Sequence, residues 1–299
     1  LVKTFSMPEN TNNRGVNETH IETRLLIHRE KGWTAIPYYW DSATDASYMV
    51  VGKTIAINIT HDGESLAFDY GVPQKNQCTN CHAVVPVLGG PEDKRKSIFK
   101  PIGPKARFLN YDYNYGSQIE NQLAHWESSG ILVAAPADKT SIDSAPIVKD
   151  TMDIVALSED TVKLNTAARA YLDINCAHCH RNALTISEPN YAGAAGDSGL
   201  TVEFNRDFGT DPGKFGVCKT AVAGGYPAEV AGGYNQYPRD IVPQHADRSY
   251  LLYRMNTNDG RHKMPELGRG SIHKEGVELI RAWINSLPEN DCGLTDLVR

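Results

Sequence analysis

Long apolar runs are missing from this 299-residue chain. The longest, such as Ile131-Leu-Val-Ala-Ala, fall far short of the roughly 20 residues that a membrane-crossing helix needs. No signal peptide is visible. The chain starts at Leu1 rather than Met, which reads as a processed or trimmed form. A strong excess of one charge is missing as well. Thirty Lys and Arg stand against 36 Asp and Glu, a net charge of −6. That balance speaks against a nucleic-acid-binding surface and for a mildly anionic face toward a basic or neutral partner. Cysteine is sparse, six residues in all, whereas hydrophobic residues make up 40% of the chain. That is enough for the cores of two domains or three small ones.

The cysteines are not scattered. Four of them fall in two copies of one pattern, Cys78-Thr79-Asn80-Cys81-His82 and Cys176-Ala177-His178-Cys179-His180. Two cysteines three apart, followed at once by a histidine, are the attachment signature of a c-type haem. Each thiol adds to one vinyl group on the macrocycle edge, and one helical turn places both sulfurs. The next residue lies under the iron as an axial ligand. Two covalently bound c-type haems are therefore expected, attached at Cys78, Cys81, Cys176 and Cys179, with His82 and His180 as proximal iron ligands. Haem is attached in this way outside the bacterial cytoplasm, which implies a periplasmic, extracellular or cell-surface location. The remaining Cys218 and Cys292 are expected to pair as a disulfide in that oxidising compartment. Two unrelated buried thiols are the alternative.

Residues 1–20 are polar, with Asn10-Thr-Asn-Asn-Arg-Gly, and read as a loop or arm. From residue 22 the pattern turns β. Residues 22–29 and 33–40 read as strands joined at Lys31-Gly32. Residues 54–60 alternate with period two, His61-Asp-Gly-Glu turns the chain, and residues 65–70 return. After the first motif comes Lys100-Pro-Ile-Gly-Pro. A carbonyl at Pro101 or Pro104 is expected to accept the hydrogen bond of the proximal imidazole and fix its tautomer; an ordinary turn is the alternative. Tyr111, Tyr113 and Tyr115 flank a haem edge or form a solvated loop. Residues 118–128 read as a helix ended by Gly130, and residues 135–144 as a linker. A helix from near Ser158 delivers Cys176. Residues 190–235, with Ala192-Gly-Ala-Ala-Gly, Ala223-Gly-Gly-Tyr and Ala231-Gly-Gly-Tyr, read as surface loops around a short strand at 200–204. Residues 247–255 and 272–287 read as helices. In the last one Val277, Ile280, Ile284 and Leu287 make one apolar face before Pro288.

Several runs carry a resemblance. Pro101-Ile-Gly-Pro-Lys-Ala-Arg-Phe-Leu-Asn, Asn121-Gln-Leu, Arg169-Ala-Tyr-Leu-Asp-Ile-Asn-Cys-Ala-His-Cys-His, Asp240-Ile-Val-Pro and Met264-Pro-Glu-Leu-Gly-Arg are similar to an uncharacterised family of exported bacterial proteins with two such haem sites. The Glu22-Thr-Arg-Leu-Leu and Gly32-Trp stretches belong to the same resemblance, which thus covers nearly the whole chain and brings no activity with it. Residues 155–290 resemble a class I cytochrome c domain with an enlarged loop between His180 and Met264. The implied fold is α+β. A small antiparallel β-domain (1–76) precedes two mainly α, cytochrome c-like haem domains (77–154 and 155–299). In such a fold the terminal helix packs across the haem-bearing helix.

By the cytochrome analogy Met264, in a Met-Pro turn before the last helix, is the expected distal ligand of the second haem, with Met255 or His262 as rivals. For the first haem the candidate is His125 on the helix at 118–128. Met152, Met49, His61 and His28 are rivals, and so is an open sixth position. His178 reads as a bystander within its motif. The expected function is extracytoplasmic electron transfer by a di-haem c-type cytochrome with redox protein partners, alone or self-assembled as a subunit of an extracellular conduit or filament. The alternative is a di-haem peroxidase-like oxidoreductase. A third reading makes Cys78, Cys81, Cys176 and Cys179 one zinc site.

Overall fold

The computed structural model describes residues 1–48, 51–86, 97–148, 152–182, 191–222 and 236–294. The chain begins in strands. β1 (Val2–Met7), β2 (Thr19–Arg29), β3 (Gly32–Trp40) and β4 (Ala46–Tyr48) form an antiparallel sheet in the order β1-β2-β3-β4. β5 (Lys53–His61) and β6 (Glu64–Val72) form a separate hairpin. Its two-residue turn is Asp62-Gly63, both at positive φ, the backbone that matches the twist of paired strands. The strand pattern thus stands as read, except at its start. Residues 2–7 are a paired strand rather than an arm. Ile21, Ile57, Tyr70 and Val72 are buried together, with Met7, Tyr39 and Phe68 against them. Beside this core Glu22 is fully buried and takes hydrogen bonds from Tyr70 and Arg24.

Residues 77–154 are not the mainly α segment that the sequence suggests. The described elements are a one-turn helix α1 (Thr79–His82), strands β7 (Ala83–Pro86), β8 (Ile98–Phe99), β9 (Asp112–Asn114) and β10 (Ile119–Asn121), and helix α2 (Gln122–Ser128). The prolines at 86, 101 and 104 remove donors that a longer helix would need. Asn121, expected inside α2, caps it by accepting from the backbone N–H groups of Leu123 and Ala124. β7 pairs with β8 on one side and with β11 (Tyr191–Gly193) on the other. The two halves of the chain are therefore stitched by a sheet.

The larger core is helical. α3 (Ile154–Ser158) leads into α4 (Thr161–Asn175), whose N-cap Asp160 accepts from Val162 and Lys163. α5 (Tyr250–Met255) and α6 (Lys274–Ser286) follow near the end. Leu164, Ala168 and Leu172 repeat every four residues along α4, one buried stripe. They share a core with Val277, Ile280, Trp283 and Ile284 of α6. Trp283 is fully buried and its indole N–H donates to Asn165 Oδ1 at 3.0 Å. Residues 200–204 do not form the expected strand: 200–203 have no regular structure, residue 204 lies in a turn, and Val202 donates its N–H to the His180 carbonyl. Cys218 and Cys292 form a disulfide, with Cα atoms 4.9 Å apart. Among the described residues no helix is long and apolar enough to cross a membrane.

Candidate functional site

α4 runs straight into the second motif. Cys176 caps it with an N–H donated to Leu172 O, and His180 donates its N–H back to Cys176 O at 2.9 Å, closing a turn around Cys179. The backbone of β11 lies directly on this turn. A Cβ at Gly193 would sit 2.2 Å from the Cys179 carbonyl oxygen, so glycine is the residue that fits. The Gly/Ala run at 192–196 is consequently not a surface loop: Ala192 and Gly193 are buried.

His180 is half-buried, with Nδ1 3.2 Å from Ser198 Oγ. Burial, helped by the charge of Arg254, pulls its pKa from 6.5 to about 4. The ring is therefore neutral at ordinary pH, which is the form that binds a metal. An apolar cavity of about 240 Å³ opens beside it, lined by Cys176, Cys179, His180, Leu251, Met255 and Met264 among others. Burial pushes the Cys176 thiol up to about 12. A neutral sulfur suits this place better than a thiolate. Arg269 donates to the carbonyls of both Met255 and Met264, at 2.7 and 2.8 Å, and so fixes the two thioether-bearing segments together. His262, the remaining rival ligand, is buried with Nδ1 3.4 Å from the Tyr250 hydroxyl and does not line this cavity.

The first motif lies on α1. His82 Nδ1 is 2.9 Å from the Lys100 carbonyl, and its ring stacks on Phe99 at 5.0 Å. The tautomer-fixing carbonyl is thus Lys100's, one residue before the expected Pro101. Pairing of β7 with β8 brings residue 100 to His82, and Lys100 N–H donates to His82 O at 2.8 Å. Burial lowers the pKa of His82 too. A second cavity, of about 330 Å³, is lined by His82, Cys81, His178, Lys100, Arg107 and Arg181 among others. It is more polar than the first.

The two motifs meet. The ligand atoms of Cys81, His178 and Cys179 all lie within 4.8 Å of one another. The Cys179 and His178 side chains beside the Cys81 sulfur hold its pKa well below the usual thiol range while that of Cys179 is driven up, and the Cys179 thiol donates to the Asn80 carbonyl at 3.7 Å. His178 lines both cavities, and its Nδ1 is buried without a hydrogen-bond partner. It is not the bystander that its place inside the motif suggests. The pattern specifies only local geometry, so no sequence signal marks this contact.

His125 lines neither cavity. Its Nδ1 is 2.9 Å from Glu120 Oε2 and its ring stacks on Tyr115 at 3.7 Å. His28 packs on Trp33, and His61 stands in a cluster with Asp62 and Glu275. Met152 lines neither cavity, and Met49 lies outside the described residues. Tyr111 donates to the Ala145 carbonyl, and Tyr113 and Tyr115 pack edge to face.

The second motif's donor set has the chemistry that covalent haem requires; at the first motif Cys81 and His82 line the cavity, whereas Cys78 lines neither cavity and its Sγ lies 4.0 Å from the Gln74 carbonyl. At the second motif two thiols, a neutral imidazole and a thioether surround one apolar cavity. At the first, an imidazole with its Nδ1 held faces a cavity lined by Lys100, Lys105, Arg107 and Arg181 and also by Asp173 and Glu203, with Lys105 and Arg107 paired to Asp173. Among these, Arg181 has a buried Nε with no hydrogen-bond partner. The chain matches no protein-family model, no curated protein and no solved structure.

Proposed function

We propose that this protein is a di-haem c-type cytochrome, built to carry electrons outside the cytoplasm between redox protein partners. One observation carries the reading. Cys176, Cys179 and His180 of one attachment motif line a single apolar cavity together with the distant Met264, and Cys179 lies beside Cys81 of the other motif. When bound, the haems supply a one-electron iron couple. The chain does the rest. His180 and His82 are held neutral with their Nδ1 atoms occupied, leaving Nε2 as the ligating atom. Met264, with Met255 beside it, offers the second ligand at one iron, and His/Met ligation raises the potential relative to two imidazoles. His178 is the further imidazole that the other cavity offers. It replaces His125 as the candidate there. Unequal ligation would give transfer a direction, and the contact of Cys81 with Cys179 would keep the attached edges adjacent.

Resonance Raman and magnetic circular dichroism spectra of the oxidised protein test this. Two low-spin, six-coordinate irons, one with a Met–iron charge-transfer band, are expected. A high-spin iron that binds cyanide would favour the peroxidase-like alternative and sink the carrier reading. One specific observation favours a third occupant: Cys81, His178 and Cys179 make a ligand trio for a thiophilic cation. Such a site omits Cys78 and Cys176, unlike the four-cysteine zinc site read from the sequence. It requires free thiols, so thiol titration of the denatured protein separates the two.

A further inference from the structure

The hairpin turn between β5 and β6 reaches across the molecule to the first turn of α6. There His61, Asp62 and Glu275 bring one ligand atom each within 4.8 Å of the others. His61 Nε2 lies 3.5 Å from Asp62 Oδ2 and 3.4 Å from Glu275 Oε1. The other carboxylate oxygen, Glu275 Oε2, is 3.5 Å from His273 Nε2 and is buried with no hydrogen-bond partner. None of these groups belongs to the haem motifs.

Both imidazoles are aimed. His61 Nδ1 is 2.9 Å from Thr11 Oγ1, and His273 Nδ1 is 3.0 Å from the Tyr171 hydroxyl. With Nδ1–H donating in each case, Nε2 carries the lone pair and points at the carboxylate. That is how metal-ligating histidines are held, by a partner on the other nitrogen. Tyr171 can stand there because residue 276 is glycine: a Cβ would sit 2.2 Å from the phenol oxygen.

The spacing also decides between two explanations. A charge-assisted hydrogen bond between imidazolium and carboxylate closes to about 2.7–2.9 Å. Ligands on a tetrahedral ion with bonds of about 2.0–2.1 Å stand roughly 3.4 Å apart. The separations of His61 Nε2 from Asp62 and from Glu275, 3.5 and 3.4 Å, are those of co-ligands. We propose that His61, Asp62 and Glu275 form a site for a divalent cation of the zinc class, which fastens the β5–β6 hairpin to α6, with His273 set against the outer carboxylate oxygen of Glu275. Imidazole nitrogen with carboxylate oxygen is the donor mixture that zinc accepts.

The test uses the full-length protein, haem-loaded as isolated, with any free thiols alkylated so that the motif cysteines cannot compete. After chelation and dialysis, zinc is added back and counted per chain by plasma mass spectrometry, with affinity read by competition against a chelating dye. One zinc per chain is expected, with a nitrogen/oxygen-only shell in X-ray absorption and a raised melting temperature. Glu275→Gln and His61→Ala should each lose that zinc. Thr11→Val should keep the fold and weaken binding about tenfold, as loss of an orienting partner does. A wild type that takes up no zinc, zinc retained by both ligand variants, or sulfur in its shell would overturn the site. Because these readouts concern zinc alone, they are independent of the haem assignment. Unaltered far-ultraviolet circular dichroism of Glu275→Gln excludes misfolding as the cause of a loss.

Discussion

Asp173 lies one turn before Cys176 and is the post to which the first half of the chain is tied. Its side chain is 1% exposed. Oδ2 receives Arg107 Nη1 at 2.9 Å and Lys105 Nζ at 2.8 Å, and Oδ1 receives the backbone N–H of Phe204 at 3.1 Å. Asp173→Asn preserves the shape but removes the charge and turns an amide toward two cations. Removing one partner of a buried pair costs roughly 3–5 kcal/mol, because the remaining charge stays desolvated. Arg107 is 19% exposed and Lys105 30%. The lysine can therefore turn to water, which places the expected loss at the lower end, about 3 kcal/mol. Against a total stability of about 5–15 kcal/mol that is a large fraction. Urea unfolding followed by tryptophan fluorescence measures it, because Trp283 sits in the core that α4 shares. A loss under about 1 kcal/mol, the range of a surface ion pair, would refute the argument that this carboxylate neutralises two half-buried cations.

Three further outcomes follow. The disulfide joins residues 74 apart; opening it by Cys218→Ser with Cys292→Ser should cost about 4 kcal/mol on the chain-entropy estimate, read from the urea midpoint, and a cost near zero would contradict it. In the haem-free chain His180 has a folded pKa of about 4 against an ordinary 6.5. The unfolded chain binds the extra proton between those values, so the stabilising contribution is present above about pH 6.5 and is lost as pH falls toward 4. About 3 kcal/mol is at stake, and His180→Asn should flatten that part of the stability–pH curve. Met264→Ala should abolish the Met–iron charge-transfer band and lower one potential, while His178→Ala should change the spin state of the other iron only. If both variants keep the wild-type spectrum, the ligand assignments fail.

The hairpins were legible because alternation, Lys31-Gly32 and Asp62-Gly63 are local signals. So was α6, whose stripe of Val277, Ile280 and Ile284 repeats with the helical period. The motif spacing marked Cys78, Cys81, His82, Cys176, Cys179 and His180 as site candidates for the same reason. What stayed hidden depends on distant chain. β1 shows only a short, half-polar alternation, and its pairing with β2 needs a partner outside the window. The run Ala192-Gly-Ala-Ala-Gly has the composition of a loop, and only the Cys179 carbonyl above Gly193 explains it. His178 and Cys81 are brought together by β7 and β11, a pairing with no sequence signature. His61 and Glu275 are likewise unremarkable until a hairpin turn meets a helix start.

Intact-mass spectrometry of the denatured protein tests the central claim most directly. Two covalent haems on one chain give a mass excess of two macrocycles that survives unfolding, with no thiol at positions 78, 81, 176 or 179 left to alkylate. That is the expected result. A mass equal to the bare polypeptide, with four alkylatable thiols, would contradict the haem assignment and leave Cys81, His178 and Cys179 as a cation site.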